Sequence, residues 1–557
     1  MKSGGTATSA PARGASLRHV GAVRLTAVAM SAGYVICLSF LGKNLFFLDD
    51  EWDFILRGRS FGLVSLLEPH NEHWSTIPIV VYKILLNQFG ITSYQPYMVT
   101  LAITGAACGL ALFELVRIRA GIWAALFSLI LFLCLGRGAE NSLWAFQIGW
   151  VAAMTFGLVG MLLLECETPG AGRLALASAA FLLSVMSSGV SLLFCWAVLV
   201  ELTFDRRRRR SLVALVTPLA AYLAWEIAFG SRAIHASTDI VGTLLYARSG
   251  IGSALTGALG LPLEAGDECI FGLVLLLSTY ALLRQAADAR VIGAAAAILG
   301  EFMLFSLVRA HQFGAIQATA PRYVDTGAIF LMLLLMPILF NHAYGLIRNL
   351  HRPAVILALG LIPVLSNLLS FATYYQVRLG VANRLRTEVA TVAAVRAAPG
   401  LRHNASIDPQ DLPRLTPETF YLAEGEFGSP IGYPTTGDLG GLPPGDVDRT
   451  LFRIFMPETG YVSGRLSESS PGSCQRYPTG RFDDLVRGRQ SLLLSVDAPS
   501  HLTVWLSVLS APSLVAERQI GPGAMSAVVL PNMGGALEWH VIARIMSGAA
   551  LMVCRGG

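Results

Sequence analysis

The chain has 557 residues, of which 54% are hydrophobic and only 14% charged, whereas a soluble protein carries about 25% charged residues. That balance excludes a disordered chain and a wholly soluble one, and a net charge of +5 whose arginines sit beside apolar runs gives no nucleic-acid partner. Residues 401–557 hold 12 Arg against 15 acidic side chains, so the positive excess lies wholly in the apolar part and the tail meets a different solvent.

A basic leader over residues 1–24, with Lys2, Arg13, Arg18 and Arg24, precedes a first apolar run at 25–41. That run is long enough to span a bilayer and is followed by no small-residue cleavage site. Further runs at 97–115, 121–135, 148–164, 174–186, 190–204, 212–229, 270–283, 291–307, 327–344 and 354–371 bring the total to about eleven transmembrane helices. The shorter run 77–89 places Lys83 and Asn87 on one helical face and is expected to lie along the interface. Alternating sides puts Arg117 with Arg119, the arginines at 206–210, Arg284 with Arg290, and Arg348 with Arg352 on the side of the N-terminus. The positive-inside rule then orients the protein in the cytoplasmic (inner) membrane, N-terminus in the cytoplasm and everything beyond about residue 374 outside. The five-arginine run reads as a stop-transfer anchor in preference to a localisation patch.

These spans define a membrane domain at 25–375 with outer loops at 44–96, 137–147, 230–269 and 309–326, then a connecting helix at 376–400. From 401 to 557 the composition turns to Gly, Pro, Ser and Thr, with short alternating runs at 491–496, 502–508 and 527–530. A β-rich extracytoplasmic domain is expected there, in outline a sandwich. Cys37, Cys108, Cys134, Cys166, Cys195 and Cys269 lie in or beside apolar runs and read as small hydrophobes. Cys474 and Cys554 lie in the tail, where an oxidising compartment would let them pair and close a loop worth roughly 4 kcal/mol.

The string Asp49-Asp50-Glu51-Trp52-Asp53, just past the first span, sets four carboxylates within five residues. Such crowding raises at least one carboxyl pKa, suits a divalent cation such as Mg, Mn or Zn, and offers a general base for a hydroxyl. A structural reading stands beside it: Asp49 or Asp50 caps an interfacial helix whose first turn accommodates acids. The two are compatible.

A span, an acidic pair opening the first outer loop, an interfacial helix, many further spans and an outer C-terminal domain together resemble the GT-C superfamily of glycosyltransferases. Asp50-Glu51 looks like the Asp-Glu pair found there in protein O-mannosyltransferases, lipid A aminoarabinose transferases and rhizobial galacturonosyltransferases. The resemblance covers residues 20–375. It implies a GT-C-like fold, a polyprenyl-phosphate sugar donor, and inverting transfer to a cell-envelope glycan or glycolipid acceptor in polysaccharide biosynthesis. Asp49 is an addition to the pair, so either Asp49 or Asp50 fills the base position. Glu140 matches a second acid that related folds supply and, with Asp50, is the implied cation ligand. Arg322-Tyr323 resembles an Arg-Tyr pair ahead of a late span, making Arg322 the implied phosphate contact; a salt bridge to Asp325 or a lipid headgroup contact are its alternatives.

His70 and His73, three positions apart, would share a helical face and supply hydrogen bonds near the donor; metal ligation is the alternative, though the HExxH spacing is absent. Gln147 is a substrate-binding candidate, and the aromatics Trp144, Phe146 and Trp150 suit stacking on sugar faces or an aromatic belt, the belt being the favoured reading for the tryptophans. Arg309 and Arg322 run against the charge rule and so need an anionic partner, with Arg232, His235 and Arg248 as secondary candidates. Glu114, Glu226 and Glu301 fall at or near span ends, where each can reach the interface. Two other functions fit the sequence: an envelope-lipid transporter or flippase, expected to carry mid-membrane charge or two related halves, and a non-catalytic scaffold.

Overall fold

A computed structural model describes residues 12–57, 62–230, 239–283, 288–341, 353–462, 474–511, 513–522, 524–534, 537–546 and 549–556. Its helices, in order, are α1 (Ala12–Gly42), α2 (Asp50–Arg57), α3 (Leu63–Leu67), α4 (Thr76–Phe89), α5 (Gln95–Ala120), α6 (Ile122–Leu133), α7 (Glu140–Leu143) and α8 (Ile148–Leu163). They continue with α9 (Ala171–Val185), α10 (Ser191–Phe204), α11 (Val213–Ala228), α12 (Ile240–Leu259), α13 (Gly266–Leu283), α14 (Ala289–Phe313), α15 (Pro321–Asn341) and α16 (Pro353–Ala394).

Six described segments have the length and apolarity to cross a bilayer: Gly21–Gly42, Gln95–Ala120, Ala145–Leu163, Arg209–Ala228, Ala289–Leu307 and Pro321–Phe340. Large apolar side chains such as Ile36, Ile227 and Phe271 stand exposed on these and neighbouring helices, a surface suited to lipid and not to water. The chain is a membrane protein. Three of the expected spans form shorter helices, α6 with 12 residues, α9 with 15 and α10 with 14, against about 20 for an upright crossing. Arg284, Arg348, Arg352, Arg232 and His235 lie outside the described residues.

The stretch 240–259, expected as loop, is instead the 20-residue helix α12. Asp239 caps it by accepting from the Gly242 N–H, and Gly260 ends it at φ +64°. Its Gly, Ser and Thr content dilutes the apolar signal, yet the same small residues allow close packing: a Cβ at Gly250 would strike Phe302, and one at Gly257 would strike Val324. Arg248 on this helix pairs with Asp267 of α13 through its Nε at 2.8 Å. The run expected as a separate connecting helix continues α16, which is unbroken to Ala394.

The chain packs as two units. The first comprises Met1–Leu45, Gly58–Leu85 and Gln95–Leu379; the second comprises Phe46–Arg57, Leu86–Tyr94 and Gly380–Gly557. In the first, α5 packs on α1, α6 and α8, and α14 on α10, α12 and α15. Gly157 and Gly160 of α8 receive the rings of Phe194 and Phe181. At one end, Arg119 reaches Glu165 at 2.6 Å and Glu201 at 2.8 Å, Arg290 reaches Glu165 at 2.7 Å, and Arg208 pairs with Glu201 and, at 2.7 Å, with Asp205. Of the five-arginine run only Arg208 is buried. It therefore ties helix ends together, while Arg206, Arg207, Arg209 and Arg210 are exposed.

In the second unit, residues 401–457 are helix and loop where strands were expected. Thr416 and Thr419 form a capping box that starts α17 (Pro417–Phe427), and α18 (Pro444–Phe455) buries Val447, Leu451, Ile454 and Phe455 along one face. Strands follow: β1 (Glu458–Val462), β2 (Cys474–Tyr477), β3 (Arg481–Val486), β4 (Gln490–Val496), β5 (Ser500–Ser507), β6 (Ser513–Ile520), β7 (Met525–Leu530), β8 (Trp539–Ile545) and β9 (Leu551–Gly556). They form antiparallel sheets ordered β1-β7-β4-β9-β2 and β3-β8-β5-β6. Leu492, Leu494 and Val496 alternate into the core, the period of two that the sequence displays. Cys474 and Cys554, facing each other on β2 and β9, are joined by a disulfide.

Candidate functional site

In the first unit, polar side chains converge where the 69–74 turn, α7 and the start of α15 meet. His70 and His73 do not share a helical face. Each backbone N–H donates to the other's carbonyl, at 3.1 and 3.0 Å, and Asn71 takes φ +51°. Asn tolerates that conformation, so the segment closes as a tight turn with Glu72 near its tip. The His70 ring lies 5.3 Å from Phe146 and the His73 ring 6.3 Å from Trp150.

Glu72 is ion-paired with Arg309 of α14 and lies 3.6 Å from His73 Nε2. Burial works against ionisation of Glu72, but His73 and the Arg309 guanidinium more than offset it and hold the carboxyl at about 2. His73 is pushed down to about 4, chiefly by burial, with Arg309 adding to the effect and Glu72 opposing it. The imidazole is thus neutral at pH 7. Arg309 also donates to the hydroxyl of the buried Tyr323.

Across the same tyrosine, Arg322 Nη1 donates to Glu140 Oε1 at 3.3 Å, and Gln147 Nε2 approaches that oxygen at 3.5 Å. Asn141 Nδ2 holds the Arg322 carbonyl at 2.8 Å. The guanidinium carbons of Arg309 and Arg322 lie 5.8 and 5.6 Å from the centre of the Tyr323 ring. Tyr374 of α16 is raised above its ordinary pKa by burial and by Glu140, while Arg378 and Arg322 pull the other way. Asp325 is buried against Gly138, where any Cβ would collide with its carboxylate.

The structure thus gathers Glu140, Gln147, Arg322, Tyr323 and His73, with His70 beside them. It adds Glu72, Asn141, Arg309, Tyr374 and Arg378, of which only Arg309 stood out in the sequence, as an outer arginine. Tyr374 and Arg378 are one helical turn apart just past the last apolar run, a spacing that flags a shared face. Trp144 and Trp150 are enclosed by protein, 5% and 6% exposed, and so form no belt. Trp150 donates to Thr326 at 3.0 Å and packs against Phe305 and Tyr323, walling the cluster.

Glu114 pairs with Arg24 and Arg117, and Glu226 is half-buried beside Gly230. Glu301 differs from the expectation. It sits mid-way along α14, fully buried, and neither carboxylate oxygen has a hydrogen-bond partner among the described residues.

The acidic string belongs to the second unit. Asp49 adopts φ +49° and its N–H donates to the Asp411 carbonyl at 2.8 Å, and α2 then begins with Asp50, Glu51 and Asp53 in its first turn. Glu51 is buried and accepts from the Leu48 N–H at 2.8 Å and the Tyr94 hydroxyl at 2.9 Å. Asp53 pairs with Arg414, and Trp52 packs edge-on against Phe47 and Phe420. Glu51 and Asp53 therefore hold the segment in place. Asp49 and Asp50 are half-buried.

No known protein family matches the sequence, and no curated protein matches it. Among solved structures, the chain is similar to ArnT from Cupriavidus metallidurans, determined bound to undecaprenyl phosphate, with 12% identity and a TM-score of 0.43 over 81% of this chain and 93% of that one. At that score the two backbones agree only in part, and no residue's role carries across.

Proposed function

We propose that the protein is an inverting glycosyltransferase of the cytoplasmic membrane, GT-C-like in fold, that moves a sugar from a polyprenyl phosphate to a cell-envelope glycan or glycolipid on the outer side. About eleven crossings, an N-terminus in the cytoplasm and an extracytoplasmic second unit are part of this proposal. The observation that carries it is the pair of guanidiniums, Arg309 and Arg322, brought to one buried tyrosine ring. Each guanidinium faces one carboxylate, Arg309 that of Glu72 and Arg322 that of Glu140, and an anion that displaced either acid would meet two cations in a low dielectric. The Arg322–Glu140 contact of 3.3 Å is long beside the roughly 2.7–2.9 Å of a strong charge-assisted bond, so it is readily exchanged for a phosphate oxygen.

In the proposed reaction Asp50, with Asp49 as alternate, takes the proton of the acceptor hydroxyl. The freed oxygen attacks the anomeric carbon as the carbon–oxygen bond to phosphate breaks, and the lipid phosphate leaves with the electron pair. Arg322, assisted by Arg309, stabilises the charge that develops. Glu51 positions the acids through Leu48 and Tyr94. Tyr323, His70, His73, Gln147 and Trp144 shape the donor side. A divalent cation (Mg, Mn or Zn) would be held by Asp50 and would neutralise phosphate charge; Glu140 does not fit as its second ligand because a guanidinium and an amide already face its carboxylate.

The test is sugar release from a labelled polyprenyl carrier by reconstituted protein. Asp50→Asn is expected to abolish transfer with the fold intact; undiminished transfer by the Asp49→Asn, Asp50→Asn double variant would refute the base. A transporter or flippase is the second reading, favoured by Glu301 buried at mid-span. Movement of the labelled lipid across the bilayer without sugar release would establish it.

A further inference from the structure

The second unit contains a cleft of about 800 Å³ beside α18, within the roughly 300–1,000 Å³ typical of small-ligand sites. One helical face supplies a wall. Arg449, Phe452 and Arg453 recur at the spacing that aligns side chains along a helix, and Met456, the left-handed residue that ends it, Ser406 and Leu514 also line the space. Leu514 belongs to β6, which ends its sheet.

The arginines are steered from behind. Arg453 Nη1 donates to the Ile407 carbonyl at 2.9 Å and lies 3.4 Å from Glu388 and 3.5 Å from Asp408. Arg449 Nη1 lies 3.0 Å from Asp446 and has 47% of its side chain exposed. None of Glu388, Asp408 and Asp446 lines the cleft. The acid that does, Asp448, is buried and accepts from the N–H groups of Val508, Leu509 and Ser510 and from the Ser510 hydroxyl. Four donors hold it, so it fastens the turn before β6. Glu388 is raised to about 8 by burial and by Asp408, and is therefore largely uncharged at neutral pH. The Ser406 hydroxyl is enclosed with no hydrogen-bond partner among the described residues, an unmatched polar group of the kind a ligand satisfies.

Planar guanidinium donors, a hydroxyl, and the apolar surfaces of Phe452, Met456 and Leu514 match a sugar ring, which shows C–H groups on one face and oxygens at its edge. We infer that this cleft binds a saccharide carrying a carboxylate or phosphate and thereby selects the acceptor. Acceptor selection rests on the glycosyltransferase reading; binding does not.

Intact protein in nanodiscs, without donor, is titrated calorimetrically with a uronic acid tetrasaccharide, its carboxyl-reduced neutral counterpart, a phosphorylated tetrasaccharide, and inorganic phosphate. We expect one or both anionic saccharides to bind at least tenfold more tightly than the neutral one and than phosphate. Arg449→Gln, at a half-exposed position, and Arg453→Gln should each weaken that binding at least tenfold. If Arg453→Gln lowers the unfolding temperature, Arg449→Gln alone decides. Equal binding of neutral and anionic sugars, binding of phosphate only, binding unchanged in Arg449→Gln, or no binding would overturn the inference. Saccharide binding in a protein that releases no sugar from the carrier would leave the cleft standing and remove the catalytic reading.

Discussion

Helix α14 carries a charge cluster at each end, separated along its axis by about 29 Å. Around Arg290, itself 31% exposed, the side chains of Arg119, Glu165, Glu201 and Arg208 are at most 5% exposed and make contacts mostly of 2.6–2.8 Å. Around Arg309, the side chains of Arg309, Glu72, Glu140 and Arg322 are 13–25% exposed, and the Arg322 contact is 3.3 Å. The residue types are the same. What differs is saturation: a closed, tightly bonded network joins helix ends, whereas a partly open one with a loose contact can exchange a partner for a ligand.

The sharpest way to break this contrast is to remove one member of the closed network. Glu201→Gln removes the carboxylate that Arg119 and Arg208 share, leaving Arg119 to Glu165 and Arg208 to Asp205, and should destabilise the protein by at most about 3–5 kcal/mol, read as early thermal unfolding in detergent, with sugar transfer per folded molecule unchanged. Transfer lost without destabilisation would place function at that end as well. In the second unit, Cys474→Ser with Cys554→Ser removes a tie closing a loop of sequence separation 80. The expected loss is at most about 4 kcal/mol, absent under reducing conditions.

Why the two clusters look alike in the sequence is plain from their partners. Arg119 meets Glu165 and Glu201 from positions 46 and 82 residues away, and Arg309 meets Glu72 across 237. Apolar runs announce helices because each carries its own signal, and the alternation in β4 does the same for a strand. Pairing between distant charges has no local signature. The acids of 49–53 were visible as a string, but that Glu51 and Asp53 serve the fold while Asp49 and Asp50 stay half-buried depends on Tyr94 and Arg414. Helix α12 was hidden for another reason, since its glycines lower both hydropathy and helix propensity while improving packing.

At the open end, Arg322→Lys keeps the charge but loses the planar fork, and should lower transfer about tenfold to a hundredfold, or about 1.4–2.7 kcal/mol, with the unfolding temperature unmoved. The smallest effect is acid sensitivity. His73 is held near 4 against an ordinary 6.5, so the unfolded chain binds a proton that the native protein does not. Its contribution is complete above pH 6.5 and is lost as pH falls toward 4. Glu72, held near 2 against 4.5, extends the loss below pH 4.5. His73→Gln should flatten the upper part of the curve and, because the protonated imidazole also helps hold Glu72 down, shrink the lower part as well; a curve unchanged between pH 6.5 and 4 would show that the turn does not enclose the imidazole.

The second unit is assembled from three separated pieces of chain. Asp53 meets Arg414 across a sequence separation of 361, and Trp52 waits on Phe420. During synthesis the acids near the N-terminus therefore leave the ribosome long before anything exists to hold them, and they acquire their final setting only when most of the polypeptide has been made. A nascent chain carries the carboxylates without the scaffold that orders them, and a fragment beginning at Gly380 has the scaffold without the carboxylates.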